Sequence, residues 1–368
     1  MIKREFIKTR WSVNLAIFLL WCLPLRGYEA QPLTKKQSSE KEGYILEAIR
    51  IDTPPKIDGY LEAEIWKLAP AATNFIQKQP DEGKPATENT EVRILYDSEN
   101  LYIGVMCYDS EPEKIIANEK RRDSKNIYQN DHFQIMFDTF HDRRNGYVFV
   151  INPLGAKLDI QVRKEGKSAR LSPNVNISWD GVWRVRSAIN KNGWSAEIEI
   201  PLITLRFNEN AVDGWGMNFL RNIRRKNEES TWAALPRNLN IYKISLAGEL
   251  KGLGGLKKGL NLQVKPFVMM DRVFQRDKEG TLSSKSKIDG GIDIKYGLTS
   301  NLTLELTANT DFSQVEADNE QINLTRFSLF FPEKRDFFLE NAGIFDIGSS
   351  QDAMIFFSRR IGISPQGE

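Results

Sequence analysis

The chain has 368 residues, 40% of them hydrophobic and 10% aromatic, with a formal net charge of +2. Residues 1–30 carry Lys3, Arg4, Lys8, Arg10 and Arg26 against Glu5 and Glu29, so the remainder sits near −1. That length suggests two domains with apolar content enough for packed cores, and the lack of a phosphate-tracking basic run past residue 30 argues against a nucleic-acid partner.

A basic start precedes the apolar run Trp11-Ser-Val-Asn-Leu-Ala-Ile-Phe-Leu-Leu-Trp-Cys-Leu-Pro-Leu25. This is the pattern of a secretory signal over residues 1–30, with cleavage near Ala30. The competing reading is an uncleaved anchor. Against it, Asn14 and Pro24 interrupt the run, which falls short of the about 20 apolar residues that a span requires. Cys22 follows Trp21 rather than the small residue a lipidation site takes. Cys107 is then the one cysteine of the exported chain, so no intrachain disulfide is expected. It lies in the apolar run Leu101-Tyr-Ile-Gly-Val-Met-Cys107, where a buried small hydrophobe is the expectation.

Residues 31–43 are polar and charged and read as a flexible tether. Residues 44–250 read as short strands, with one short helix over 61–68 and a helical turn within 111–122. Val92, Ile94 and Tyr96 alternate with Arg93 and Asp97, and Asp97-Ser-Glu-Asn100 turns the chain back as a hairpin. Over 131–138, Phe133, Ile135 and Phe137 face one way and His132, Gln134 and Met136 the other. Further strands are predicted at 146–152, 183–187, 194–200 and 215–222, a spacing that favours a sandwich.

The Gly/Lys-rich stretch 251–259 reads as a linker. Beyond it the alternation becomes long and clean. Leu262, Val264, Val268 and Met270 form one series, Ile292, Ile294, Tyr296 and Leu298 a second, and Leu302, Leu304, Leu306 and Ala308 a third, with a turn at Thr299-Ser-Asn301. Apolar-out, polar-in strands joined by tight turns fit a transmembrane β-barrel, and a soluble antiparallel sheet alternates in the same way. About four to six strands fit into 260–368, whereas a closed membrane barrel takes at least eight, so the barrel is expected to be incomplete here. The fold class expected is all-β: an N-terminal antiparallel β-sandwich followed by a partial, truncated β-barrel-like antiparallel sheet.

Catalytic signatures are lacking. Glu197 and Glu199 share a strand face about 7 Å apart, where a solvated strand face is the expectation over a pair of hydrolytic carboxyls. His132 and His141 are the only histidines, too few for a His-built metal centre. No phosphate loop, nucleophile elbow or His-Glu-x-x-His helix is present. Asp311, Glu316, Asp318 and Glu320 supply oxygen enough for Ca²⁺, but their spacing is not that of an EF-hand, so lumen-facing barrel charge is the expectation.

Residues 44–250 resemble carbohydrate-binding module family 9 domains. The resemblance lies in Ile57-Asp58-Gly59 with Trp66, in Val92-Arg-Ile-Leu-Tyr-Asp97 with Leu101-Tyr-Ile-Gly104, and in Asp131-x-Phe-x-Ile-x-Phe-Asp138. It continues in Gly193-Trp194-x-x-Glu197-x-x-Ile200-Pro201, Trp215-Gly-x-Asn218 and Trp232. Residues 212–368 additionally resemble a bacterial family of unknown function, in which such a domain precedes an outer-membrane β-barrel-like region. Trp215-Gly-Met-Asn-Phe-Leu-Arg-Asn-Ile-Arg-Arg-Lys-Asn-Glu228, Asp311-Phe-Ser-Gln-Val-Glu-Ala-Asp318 and Phe330-Phe-Pro-Glu-Lys-Arg-Asp-Phe-Phe-Leu-Glu340 carry it. That family implies a chain longer than this one.

The resemblance implies a saccharide sandwiched between two aromatic rings, with a polar side chain on the central strand bonding its hydroxyls. The first ring position is Tyr128 and the polar position Gln134, where the family pattern has a carboxylate. The second ring falls in the loop after Trp232, where Asn238, Asn240 and Tyr242 are the candidates. Trp66, Trp194, Trp215 and Trp232 are expected in the core, and Asp58 is expected to fix a turn beside Gly59. No organic cofactor is expected. Ca²⁺ fits the family, although no ligands can be assigned. The expected function is binding of an oligosaccharide or polysaccharide by an exported protein of a Gram-negative-type envelope, periplasmic or at the outer membrane, in support of glycan degradation or uptake. The alternatives are a glycoside hydrolase with its catalytic part elsewhere or beyond residue 368, and an outer-membrane structural or transport protein whose sandwich binds no sugar.

Overall fold

Alternating apolar residues drive residues 44–251 into two facing sheets. A computed structural model describes residues 43–61, 64–163, 165, 175–177, 179–207, 214–256, 262–276, 282–298 and 303–309. The signal segment, the tether up to residue 42, the Thr299-Ser-Asn301 turn, the acidic cluster at 311–320 and the motif at 330–340 lie outside the described residues. In chain order the strands are β1 (Ile45–Glu47), β2 (Ile49–Arg50), β3 (Ile76–Gln79), β4 (Thr90–Tyr96), β5 (Asn100–Tyr108), β6 (His132–Asp138), β7 (Gly146–Ile151), β8 (Lys157–Val162) and β9 (Val175–Asn176). They continue with β10 (Arg184–Asn190), β11 (Gly193–Pro201), β12 (Trp215–Ile223), β13 (Glu228–Thr231), β14 (Gly248–Lys251), β15 (Leu262–Arg276), β16 (Leu282–Gly297) and β17 (Thr303–Ala308). The fold is all-β. The predicted helix is a 3₁₀ turn over Glu64–Leu68, and another such turn spans Pro112–Lys114.

The larger sheet runs β1-β14-β12-β6-β7-β8-β9, with β13 and β3 added beside β12. The smaller runs β10-β11-β5-β4-β2. Their inner faces meet in one core. Phe133, Ile135 and Phe137 of β6 and Trp215, Met217 and Phe219 of β12 pack against Val92, Ile94, Ile103, Val105, Cys107, Trp194, Ala196 and Ile198. Burial pushes the Cys107 thiol up to about 12, as suits a packing residue. Phe219 stacks on Phe133 at 5.7 Å and tilts against Trp232 at the same distance. The four tryptophans expected in the core are all buried.

The outer faces are covered as well. Residues 51–69 cross the smaller sheet, where Trp66 packs with Ile51, Leu95 and Tyr102. Gly104 of β5 leaves the space for this indole, because a Cβ there would stand 2.8 Å from Trp66 Cε3. Glu197 of β11 is fully buried under the same segment. Its carboxylate accepts N–H bonds from Asp58 (2.7 Å), Gly59 (2.8 Å) and the Trp66 indole (2.8 Å). The solvated face expected for Glu197 is therefore corrected: a length of chain some 130 residues upstream closes over it. Asp58 fixes its turn as expected, accepting from Tyr60 N at 3.1 Å.

The hairpin of β4 and β5 forms at the predicted turn, where Asp97 Oδ1 accepts from Glu99 N and Asn100 N at 2.7 Å each. The alternating segments past residue 261 form a separate antiparallel sheet, β15-β16-β17. Its first two strands have 15 and 16 residues, longer than the predicted stretches. Leu262, Val264, Val268 and Met270 pair with Tyr296, Ile294, Gly290 and Ile288, and Ile294 and Tyr296 pair onward with Leu306 and Leu304. Directly opposed residues share a face, so one side of this sheet is apolar across all three strands. The three described strands form an open sheet.

Candidate functional site

The outer face of the larger sheet bears the candidate site, and two segments build it. The first is the 3₁₀ turn Lys125–Gln129, capped by Ser124, which takes Asn126 N at 3.3 Å. Asn130 anchors the approach to it. Its Oδ1 accepts from Asn118 N and Glu119 N, while Asn152 Nδ2 donates to Glu119 O at 2.8 Å. Ile127 then packs on Met136, and Tyr128 stands half-buried beside it. The second segment is the loop after Trp232. Asn218, on the outward face of β12, holds its start by pairing both ways with the backbone of Ala233, at 2.9 and 2.8 Å. Further on, Asn240 Oδ1 accepts from Tyr242 N at 2.9 Å and turns the chain so that Ile241 and Tyr242 join the outer apolar cluster with Leu220.

The two segments enclose a hollow of about 210 Å³. Tyr128, Gln134, Asn238, Asn240 and Tyr242 all line it, together with Lys78, Leu220, Glu229 and Arg237. It is small against the about 300–1,000 Å³ of pockets for drug-sized ligands, and so suits one ring better than a long chain. Five residues drawn from three places in the sequence thus meet at one spot. The arrangement of the rings differs from the expected pair of separate walls. Tyr242 is only 3% exposed, and its hydroxyl lies 3.4 Å from that of Tyr128. Tyr128 in turn sits edge-on to His132, with ring centres 5.3 Å apart. The phenols form one continuous side of the hollow because each packs onto the sheet instead of standing in solvent.

His132 is the residue that sequence reasoning passed over. It is buried on β6, and its Nδ1 lies 2.9 Å from Asn130 O. A carbonyl only accepts, so Nδ1 carries the proton and neutral Nε2 is left as an acceptor. Gln134 Nε2 meets it at 3.0 Å. The imidazole thereby fixes the carboxamide by its nitrogen, and Oε1 is the group Gln134 has left to offer at the hollow it lines. The i, i+2 spacing of His132 and Gln134 on one strand face was the available signal.

The other motif carboxylates have structural partners. Asp131 Oδ1 accepts Arg224 N at 2.8 Å, and Asp138 accepts Asp142 N and Arg143 N, so each pins the chain at one end of β6. Burial pushes both carboxyls up from their ordinary value. Burial likewise raises Glu197, against the N–H bonds that favour its anion, while Glu199 pairs with Arg184 at 3.1 Å. Glu197 is thus committed to holding the fold, while Glu199 lies in an ion pair at the surface. Lys78 and Glu229, on the floor of the hollow, pair at 2.7 Å.

Comparisons with known proteins match two parts of the chain. Residues 57–235 match the family model described as carbohydrate family 9 binding domain-like. Residues 259–368 match a domain of unknown function (DUF5916). Among solved structures, a family 9 carbohydrate binding module from Caldicellulosiruptor kristjanssonii in complex with glucose is 18% identical, with a TM-score of 0.39 over 57% of this chain and 97% of that one. The module from the same organism in complex with cellotriose is 17% identical, with a TM-score of 0.39 over 57% and 95%. A search of the curated proteins finds no match. The chain carries a carbohydrate family 9 binding domain-like unit followed by a domain of unknown function.

Proposed function

We propose that the sandwich binds a saccharide at the hollow between the Lys125–Gln129 turn and the loop after Trp232. The observation that carries this reading is the convergence of Tyr128, Gln134, Asn238, Asn240 and Tyr242 on one small cavity, within a region that matches a carbohydrate-binding family. Phenol rings offer apolar surface to the C–H face of a sugar, and carboxamides bond neighbouring hydroxyls. The sugar contacts the joined phenols as a single wall and reaches Gln134 at the floor.

The test is calorimetric titration of the full chain with xylo- and cello-oligosaccharides. Gln134→Ala removes the oriented acceptor and is expected to weaken binding about tenfold, the equivalent of about 1.4 kcal/mol. Saturable heat that Gln134→Ala leaves unchanged moves the site elsewhere, and the absence of heat with every sugar removes the reading.

We also propose that the protein is exported and sits at an outer membrane, where saccharide capture supports glycan degradation or uptake. One observation favours the membrane. On the apolar side of the β15-β16-β17 sheet, Val264, Val268, Met270, Ile288 and Leu306 are all exposed, Val268 at 80%. The opposite side carries Lys265, Lys287, Asp289, Asp293, Lys295 and Glu305. A face of this kind suits lipid on one side and water on the other. The full chain is expected to fractionate with outer membranes and to need detergent for release. Recovery in the soluble fraction after osmotic shock would contradict it.

A further inference from the structure

Resting on the saccharide reading, we infer that the ligand is acidic: a uronic-acid-type sugar that donates a ring hydroxyl to Gln134 and sets its carboxylate against Arg237. Two independent features of the hollow lead there.

The first is charge. Three charged side chains line the cavity. Lys78 and Glu229 compensate each other at 2.7 Å, with side chains 10% and 15% exposed. Arg237 is exposed at the same cavity, and among the described residues no carboxylate lies within ion-pair reach of it. The lining therefore carries one uncompensated positive charge amid amides and phenols. A guanidinium presents a planar fork that matches a carboxylate with two parallel hydrogen bonds, which a neutral hydroxyl does not use fully.

The second is the polarity of Gln134. With Nδ1–H of His132 committed to Asn130 O, the Gln134 amide group is turned to His132 Nε2. Its oxygen is the group left to meet a ligand. That oxygen takes a hydroxyl proton and repels a carboxylate, which at neutral pH has only acceptors to offer. The lining thus carries one group that refuses an acid group and one unmatched cation. The ligand is both selected and oriented.

Titration of the full chain with cellobiouronic acid and cellobiose, which differ only in one carboxylate, tests this. At low salt the acid is expected to bind about fivefold more tightly, as for one partly exposed bidentate ion pair. About 0.5 M salt narrows the difference. Arg237→Gln erases it. Lys191→Gln, which loses the same charge on the exposed turn between β10 and β11, retains it. Equal affinity for the two disaccharides, or a preference that survives Arg237→Gln, overturns the inference while the saccharide site stands. Silence with both disaccharides and with the neutral oligosaccharides removes the saccharide reading, and the acidic preference falls with it.

Discussion

Glu197→Ala lowers the unfolding free energy of the sandwich by about 3–5 kcal/mol, read from urea denaturation followed by tryptophan fluorescence. The carboxylate is fully buried and is the acceptor for Asp58 N, Gly59 N and the Trp66 indole. Truncation strands Gly59 N and the Trp66 indole where water does not reach, at about 1–3 kcal/mol each, and leaves Asp58 N in a half-buried place. Some of that returns, because the variant no longer buries a charge, which keeps the expected loss below a simple sum. Glu197→Gln retains one accepting oxygen and turns an N–H₂ towards the other donors, so it falls between wild type and alanine. Around Gly59 and Trp66 the outer cover of the smaller sheet is held by this side chain. Ser195 Oγ adds a further tie, donating to Gly59 O at 2.7 Å, and Ile51 N donates to Tyr96 O at 2.8 Å. A loss under about 1 kcal/mol for alanine would mean that residues 51–69 are held by packing alone.

Gly193→Ala ranks next, at about 2–4 kcal/mol by the same measurement. Gly193 opens β11 at φ 135°, a conformation that side-chain-bearing residues rarely adopt. A Cβ there would stand 2.1 Å from Cys107 O of β5 and 2.8 Å from Asp109 N just past its end, both backbone atoms. Backbone on a central strand cannot yield without breaking ladder bonds, whereas the tip of a flexible side chain could. Alanine must therefore shift β11 against β5, in a register where Gly193 faces Tyr108 and Trp194 faces Cys107. Gly155→Ala makes the comparison. Gly155 has φ 78° with nothing near its Cβ position, so it bears the backbone strain without the collision and loses less. Equal losses at the two glycines would assign the whole effect to φ.

The strands were legible wherever apolar residues alternate. Phe133, Ile135 and Phe137, and likewise Val92, Ile94 and Tyr96, pack inward as their spacing requires. β8 carried the same signal in Leu158, Ile160 and Val162, all buried. β13 carried none. Its residues Glu228, Glu229, Ser230 and Thr231 become a strand because β12 and β3 offer hydrogen-bonding edges on both sides. The site was legible as a set of residue types at motif positions. Its geometry was not, since the Tyr128–Tyr242 contact joins residues 114 apart.

Periodicity reports which side of a strand meets apolar surroundings, and it does so whatever partner supplies them. From one chain of letters came the all-β class and five of the residues that line the hollow. Whether a carboxylate is wetted or sealed, and which atom of a carboxamide looks outward, depends on groups brought close through folding. Glu197 met its three donors across some 130 residues, and Gln134 took its polarity from an imidazole two positions earlier, itself fixed by a carbonyl. Hydrogen bonds act over about 3 Å, so the decisive neighbours are set by contact in space and leave no periodic trace along the chain.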